Sequence, residues 1–307
     1  MRIAILGAGA MGALFGGYLS RGNDVLLVDV CQSLVDQINA DGVRIEEPDG
    51  STTICHPTAV TDTKGQAPVE LMIVFVKAMY SHSALEANRG MIGPRTRLMT
   101  LQNGSGHEET LLDFVDRAHV VIGTTQHNSA VGAMGTVRHG GSGLTHIGCL
   151  EGDPTALKPI AQTFTACGLQ ADCSANVQKL IWEKMFTNVS ASVLTGVLQV
   201  PLGYITGNRH AWKLCEVLIR EAVGVANGDG MGFDAEKKIA EVRAVCEHSP
   251  KGITSICADL ANGRQSEVDT ISGSVVRASR RNGVPAPSHT FLVELVHAME
   301  DRKIMDQ

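Results

Sequence analysis

A chain of 307 residues, 44% hydrophobic and 19% charged, has apolar material for two ordinary domains, which excludes a disordered or low-complexity class. Its net charge of −6 leaves no basic face for nucleic acid and disfavours an anionic membrane surface. No clean run of roughly 20 apolar residues is present, so no membrane span is expected, and the glycine-broken N-terminus reads as folded structure rather than a signal peptide.

In chain order, RIAILGAG is an apolar strand running into a glycine turn, and Met11 to Arg21 follows as a helix. DVLLVDV is a second strand and Gln32 to Asp41 a second helix. LMIVFVK, TRLMTLQNG and HVVIGTT continue in strand style, the first as the unbroken apolar run of a strand buried on both faces. Strands alternating with helices imply a Rossmann-type, mostly parallel sheet with helices on both faces. From about Ala175 the pattern becomes helical: Lys179 to Gln199, Arg209 to Gly228, Ala235 to Glu247, Thr254 to Asn262, Glu267 to Asn282 and Pro287 to Arg302. Gly168 to Ala175 shows no strong pattern. The expected organisation is therefore an α/β dinucleotide-binding domain over 1–172 and an all-helical substrate domain over 173–307. The eight cysteines form no C-x-x-C pair and match no zinc spacing, so idle thiols, no metal site and a cytoplasmic location are expected.

Gly7-Ala8-Gly9-Ala10-Met11-Gly12 is a G-x-G-x-x-G between a strand and a helix. Gly7 permits the tight turn, Gly9 lets the backbone approach a pyrophosphate, and Gly12 lets the helix pack close to the strand. The helix N-terminus, with Ala10 and Met11, offers free N–H groups to phosphate. Asp29, ending the second strand, is placed to hydrogen-bond the adenosine ribose and would repel a 2′-phosphate. No arginine occupies 30–34, which favours NAD(H), with NADP(H) as the alternative.

In the second half, Lys184, Asn188 and Ser192 are spaced i, i+4, i+8 and would share one helix face. Lys184 is either a snorkelling surface residue or a partly desolvated acid with a lowered pKa. Glu267, within Gly263-Arg264-Gln265-Ser266-Glu267-Val268-Asp269, is by itself an ordinary solvated carboxylate.

Taken together, GAGAMG, the strand ending in Lys77, LQNG at 101–104, WEKMFTN at 182–188, GRQSEVD at 263–269 and NGVPAP at 282–287 resemble the ketopantoate reductase family (2-dehydropantoate 2-reductase, PanE/ApbA type) over nearly the whole chain. The resemblance implies reduction of an α-keto acid to the 2-hydroxy acid, as in pantothenate biosynthesis. It implies Lys184 as general acid and Glu267 as the carboxylate orienting the substrate hydroxyl. Asn188, Ser192, Ser255 and Asn103 are implied as substrate contacts, and Lys77 and Asn103 as residues at the cofactor. The implied partner is a small keto or hydroxy acid, with a homodimer left open. This sequence departs from the family at Val30 and Cys31, where an arginine suited to NADPH is common. It departs again at Ser192, in place of a second asparagine, and at Pro287-Ser288-His289, in place of P-x-N. Those departures keep an NAD-dependent D-2-hydroxy acid dehydrogenase of the D-mandelate type as an alternative. A non-catalytic NAD-sensing protein is a third reading, against which Lys184 and Glu267 speak.

Overall fold

The computed structural model describes residues 1–305. The chain divides into two compact units: Met1–Gln102 with His107–Leu180, and Asn103–Gly106 with the chain from Ile181 onward. The first unit begins β1 (Arg2–Leu6), α1 (Ala10–Leu19), β2 (Asp24–Val28), α2 (Gln32–Asp41), β3 (Val43–Glu46), β4 (Thr52–Cys55), β5 (Thr58–Val60), β6 (Leu71–Val74), α3 (Ser81–Ala87) and β7 (Arg97–Thr100). It continues with α4 (His107–Leu112), β8 (Val120–Thr125), β9 (Asn128–Val131), β10 (Thr136–Gly141), β11 (Thr145–Cys149), α5 (Lys158–Ala166) and β12 (Ala171–Cys173).

The main sheet has eight strands in the order β12-β11-β8-β7-β6-β1-β2-β5, parallel throughout except between β8 and β11. Every residue of β6 and β8 is buried, as parallel strands covered on both faces require. A second sheet, β4-β3-β10-β9, was not anticipated: its strands are short and partly polar, and β3 alternates buried and exposed residues too briefly to signal a strand by itself. The seemingly patternless stretch Gly168 to Ala175 contains β12, whose place is set by pairing with β11 rather than by its own three residues.

Helix α1 is buried from Gly12 through Leu19 and packs on β1 and β2 of one sheet and on β3, β9 and β10 of the other. A helix apolar on all sides can exist only in such an interior. Phe15 anchors it, with its ring 5.1 Å from Phe75, 5.8 Å from His127 and 5.9 Å from Phe164. One polar chain crosses this core. The Tyr18 hydroxyl donates to Glu47 Oε1 at 2.5 Å, His139 Nδ1 meets Glu47 Oε2 at 2.7 Å, and His139 Nε2 meets His127 Nδ1 at 3.0 Å. The carboxylate can only accept, so His139 donates from Nδ1 and accepts at Nε2 from His127. That leaves His127 Nε2 buried, with no hydrogen-bond partner among the described residues.

The second unit holds most of α6 (Val177–Thr187), then α7 (Val193–Leu198), α8 (Leu202–Gly207), α9 (Arg209–Gly228), α10 (Ala235–His248), α11 (Ser255–Ala261), α12 (Ser272–Asn282) and α13 (Pro287–Met305). The long α9 is central, burying Trp212, Cys215, Leu218, Ile219, Ala222, Val225 and Ala226. Asn208, Asp234 and Thr254 accept from free N–H groups at the starts of α9, α10 and α11, which fixes where these helices begin. Among the described residues no helix is long and apolar enough to cross a membrane, and the eight cysteines are free thiols.

Burial first, and then the neighbouring His139, hold the His127 ring below its ordinary pKa of 6.5. A histidine depressed in the folded state stabilises the fold above its unfolded pKa, and that stability is lost as pH falls through the folded value. Thermal unfolding followed between about pH 7.5 and pH 5 should therefore show a steeper acid-side fall in Tm for the wild type than for His127→Gln, which cannot be protonated. Parallel curves would exclude His127 as the source.

Candidate functional site

In the first unit the glycine turn and the end of β2 converge. Gly7 has φ +96°, and a Cβ on Gly12 would lie 1.8 Å from the Gly7 carbonyl oxygen. Only glycine at 12 lets α1 start this close to β1. A Cβ on Gly9, by contrast, would meet nothing within 4 Å, so the backbone there borders open space at the helix N-terminus. Ala10 and Met11, both half-buried, open the first turn of α1. Asp29 is locked beside them: its Oδ2 accepts from the Ala8 N–H at 2.8 Å and its Oδ1 from the Cys31 N–H at 3.0 Å. Val30 next to it is 96% exposed and carries no charge. These features fit a dinucleotide: a cradle that a side chain would fill, a helix N-terminus with no side-chain cap, and a fixed carboxylate beside the turn.

Lys77 follows β6, the strand paired with β1, and is half-buried. Its loop is fixed by a residue the sequence reading passed over. Gln102 Nε2 donates to the Val76 carbonyl at 2.5 Å and the Ser81 hydroxyl at 3.0 Å, while its Oε1 accepts from Thr100 at 2.8 Å. The only sequence signal for this was the Gln within LQNG.

In the second unit, α6 buries Ile181, Trp182, Met185 and Phe186 and the turn after it buries Val189, leaving Lys184 and Asn188 off the packed side. Phe186 stacks edge-on against Phe233 at 4.9 Å. Lys184 is exposed along its side chain, and protein crowded around the ammonium lowers its pKa from 10.5 to about 8 by partial desolvation. The expected single helix from Lys179 to Gln199 is instead α6, one π turn at Asn188–Ser192, and α7. A π turn closes its bonds at i→i+5, so the fourth residue on falls short of a full circle. Ser192 is therefore rotated off the line through Lys184 and Asn188, and it is only 7% exposed, whereas Asn188 is half-buried. The expectation of one shared face is corrected to this extent.

The Ser192 carbonyl accepts from the Thr195 hydroxyl at 2.6 Å and the Thr254 hydroxyl at 3.3 Å, and the two hydroxyls are 2.8 Å apart. Thr254 also caps α11, whose first residue is the exposed Ser255. The π turn thus fixes Ser255 relative to Asn188. Glu267 is half-buried and lies in a turn, not in the helix expected to start there; α12 begins at Ser272. The Glu267 carbonyl accepts from the N–H groups of Thr270 and Ile271 at 3.2 and 3.0 Å, and fully buried Val268 anchors the turn. Half-buried Asn103 leads the short segment 103–106, where the Ser105 N–H donates to the Thr270 carbonyl at 3.0 Å. Arg277 Nη2 donates to the Ser105 carbonyl at 3.0 Å and its Nη1 to the Asp269 carbonyl at 2.8 Å. Asn103 and Glu267 are thereby carried on two segments tied together, and the tying arginine was not legible in sequence.

Comparison with known proteins agrees with this architecture. Residues 3–152 match the family model for ketopantoate reductase PanE/ApbA, and residues 176–300 match its C-terminal counterpart. A 2-dehydropantoate 2-reductase of Halobacterium salinarum is 31% identical over 298 residues, covering 96% of this chain and 98% of the relative. Among solved structures, D-mandelate dehydrogenase with NADH and anilino(oxo)acetate superposes with a TM-score of 0.91 at 31% identity, covering 99% of each chain. A PanE/ApbA family ketopantoate reductase from Ralstonia eutropha superposes with a TM-score of 0.89 at 28% identity, also covering 99% of each.

The two glycines of the turn separate folding from binding. Gly12→Ala drives a methyl into backbone and should lower both Tm and NADH affinity. Gly9→Ala meets no protein atom, so its Tm should stay within about 2 °C of wild type. Its NADH affinity, read by fluorescence titration, should still fall at least about 10-fold because the methyl enters the phosphate's space. Equal NADH affinity in Gly9→Ala would remove this turn from the cofactor site.

Proposed function

We propose, from the premise that this chain belongs to the ketopantoate reductase PanE/ApbA family of NAD(P)-dependent oxidoreductases, that it reduces an α-keto acid, 2-dehydropantoate or a close relative, to the 2-hydroxy acid. The observation that carries this reading is Lys184, an ammonium with its pKa brought down to about 8 on a helix that also carries Asn188.

The bound nicotinamide supplies the hydride. Hydride addition builds negative charge on the carbonyl oxygen, which the Lys184 ammonium stabilises and then protonates. A pKa near 8 leaves the ammonium mostly protonated at neutral pH while making it a stronger acid than an ordinary lysine. Glu267 orients the substrate hydroxyl, Asn188 and Asn103 donate amide hydrogens, and Ser255 binds the carboxylate with its hydroxyl. Ser192 offers a shorter contact beside Asn188 than the asparagine common in the family. Gly7, Gly9, Ala10, Met11 and Gly12 hold the pyrophosphate, Lys77 lies at the cofactor, and Asp29 takes the ribose hydroxyls. NADH in preference to NADPH is supported by Asp29, whose carboxylate would repel a 2′-phosphate at the ribose, and by positions 30–34, which offer no cation.

A second reading, a D-2-hydroxy acid dehydrogenase, is favoured by the likeness to D-mandelate dehydrogenase and by Ser192, whose side chain is shorter than the asparagine common in the family. Turnover of 2-dehydropantoate and of aryl and branched 2-keto acids, each with both cofactors, separates the two. Catalysis confined to aryl or branched acids would favour the second.

On cofactor choice, kcat/KM with NADH should exceed that with NADPH, and Asp29→Ala should narrow the gap. A wild-type preference for NADPH would overturn the role given to Asp29. On the acid, Lys184→Ala should lower kcat at least about 10²-fold with little change in NADH binding, because the interaction is made only as charge develops. Lys184→Arg should rescue poorly, since arginine holds its proton. The reductive rate should fall as pH rises through about 8, where the acid loses its proton. Near-normal kcat in Lys184→Ala would overturn the role of Lys184 as the acid.

A further inference from the structure

A turn holds a carboxylate only as firmly as its own flanks are held, and both flanks of Glu267 are tied to α13. On one side, Glu300 Oε1 accepts from the Ser266 N–H at 2.8 Å and from the Ser266 hydroxyl at 2.6 Å. On the other, Asp269 Oδ1 lies 3.1 Å from His297 Nε2. His297 closes the loop, its Nδ1 lying 3.0 Å from Glu300 Oε2. The Glu300 side chain is 8% exposed and Ser266 is buried, so that side of the bracket is shielded, while the Asp269 side chain, 61% exposed, meets His297 at the surface.

Both ring nitrogens of His297 face carboxylate oxygens. An ionised carboxylate only accepts, so both nitrogens must donate, and the ring in this arrangement is an imidazolium. A neutral ring would set a lone pair against one of the two oxygens. The charged groups around it are Asp269 in the turn, Glu300 one turn along α13, and Arg277 of α12, whose guanidinium holds the Asp269 carbonyl.

We propose that protonated His297, bridging Asp269 and Glu300, is a positioning residue that clamps residues 266–269 and so sets the Glu267 carboxylate toward the substrate hydroxyl. The substrate half of this statement rests on the keto acid reading above. His297 acts through Ser266 and Asp269 and is not itself a catalytic residue. Burial works against the charged ring, but hydrogen bonds and charges from Asp269 and Glu300 outweigh it and raise its pKa above 6.5. A value raised in the folded state means that the clamp is complete below the unfolded pKa and is lost as pH rises through the folded one.

The test uses the full chain as wild type and as His297→Gln, a change at a side chain 33% exposed, with Glu300→Gln as a second variant. Amide exchange across 265–271 is measured from about pH 5.5 to pH 8.5 after correction for intrinsic rates, together with kcat and KM for the keto acid at saturating NADH. In the wild type, protection should fall at least about 5-fold as His297 titrates, and His297→Gln should show the low level at every pH. At about pH 6 the variant should lose about 10-fold in kcat/KM, mostly through KM for the keto acid, with NADH binding unchanged. Wild-type protection retained in His297→Gln overturns the clamp, as does unchanged kcat/KM in an active enzyme. If the wild type turns over no keto acid, the reading of the site falls, and the exchange measurement alone decides for or against the clamp.

Discussion

The contact between Gly12 and the Gly7 carbonyl determines how deeply α1 can sit, and the first unit is organised around that depth. With no side chain at 12, the helix lies against the turn that precedes it and is covered by strands of both sheets. Phe15 then reaches Phe75 and Phe164, Tyr18 reaches the Glu47–His139–His127 chain, and the two meet at His127, against which Phe15 also packs. The glycine turn thus leads from buried Gly7 and Ala8 to exposed Gly9 at the start of the most buried helix in the unit. Its backbone geometry is held by core packing, so the loop can be rigid without being stabilised by its own contacts.

The second unit solves a different problem, that of keeping a desolvated cation on a helix. Each fully buried large apolar side chain is worth about 1.5–3 kcal/mol. Trp182, Met185 and Phe186 together can therefore hold α6 in place while Lys184, on its exposed side, carries a partly desolvated charge. The π turn adds a second effect. By turning Ser192 inward and bringing its carbonyl to Thr195 and Thr254, it couples the helix of Lys184 and Asn188 to the start of α11 and Ser255.

The carboxylate side of the second unit is built from loops. Glu267 and Asn103 stand on irregular segments, and their relative place depends on Arg277, on the Ser105–Thr270 bond and on the bracket from α13. Irregular backbone carries functional groups well when such cross-ties replace the missing ladder, because each tie removes a freedom that a helix would have removed by itself.

Local patterns were enough for the parts whose physics is local. The glycine fingerprint, the apolar strands, the helix Arg209–Gly228 and Asp29 at the end of β2 were legible because turn sterics, periodicity and capping act over a few residues. The second sheet and β12 were not, because three- and four-residue strands exist through their partners. The π turn was hidden because Asn188 to Ser192 has the same spacing in either helix, and only packing around Ser192 selects the wider one. Glu267 in a turn, Gln102 and Arg277 as fasteners, and His297 between two carboxylates all depend on groups far apart in sequence. The sequence by itself determined which chemical groups are present and which local elements carry them; the tertiary structure decided their burial, orientation and charge, because desolvation and cross-chain hydrogen bonds depend on neighbours that only folding supplies.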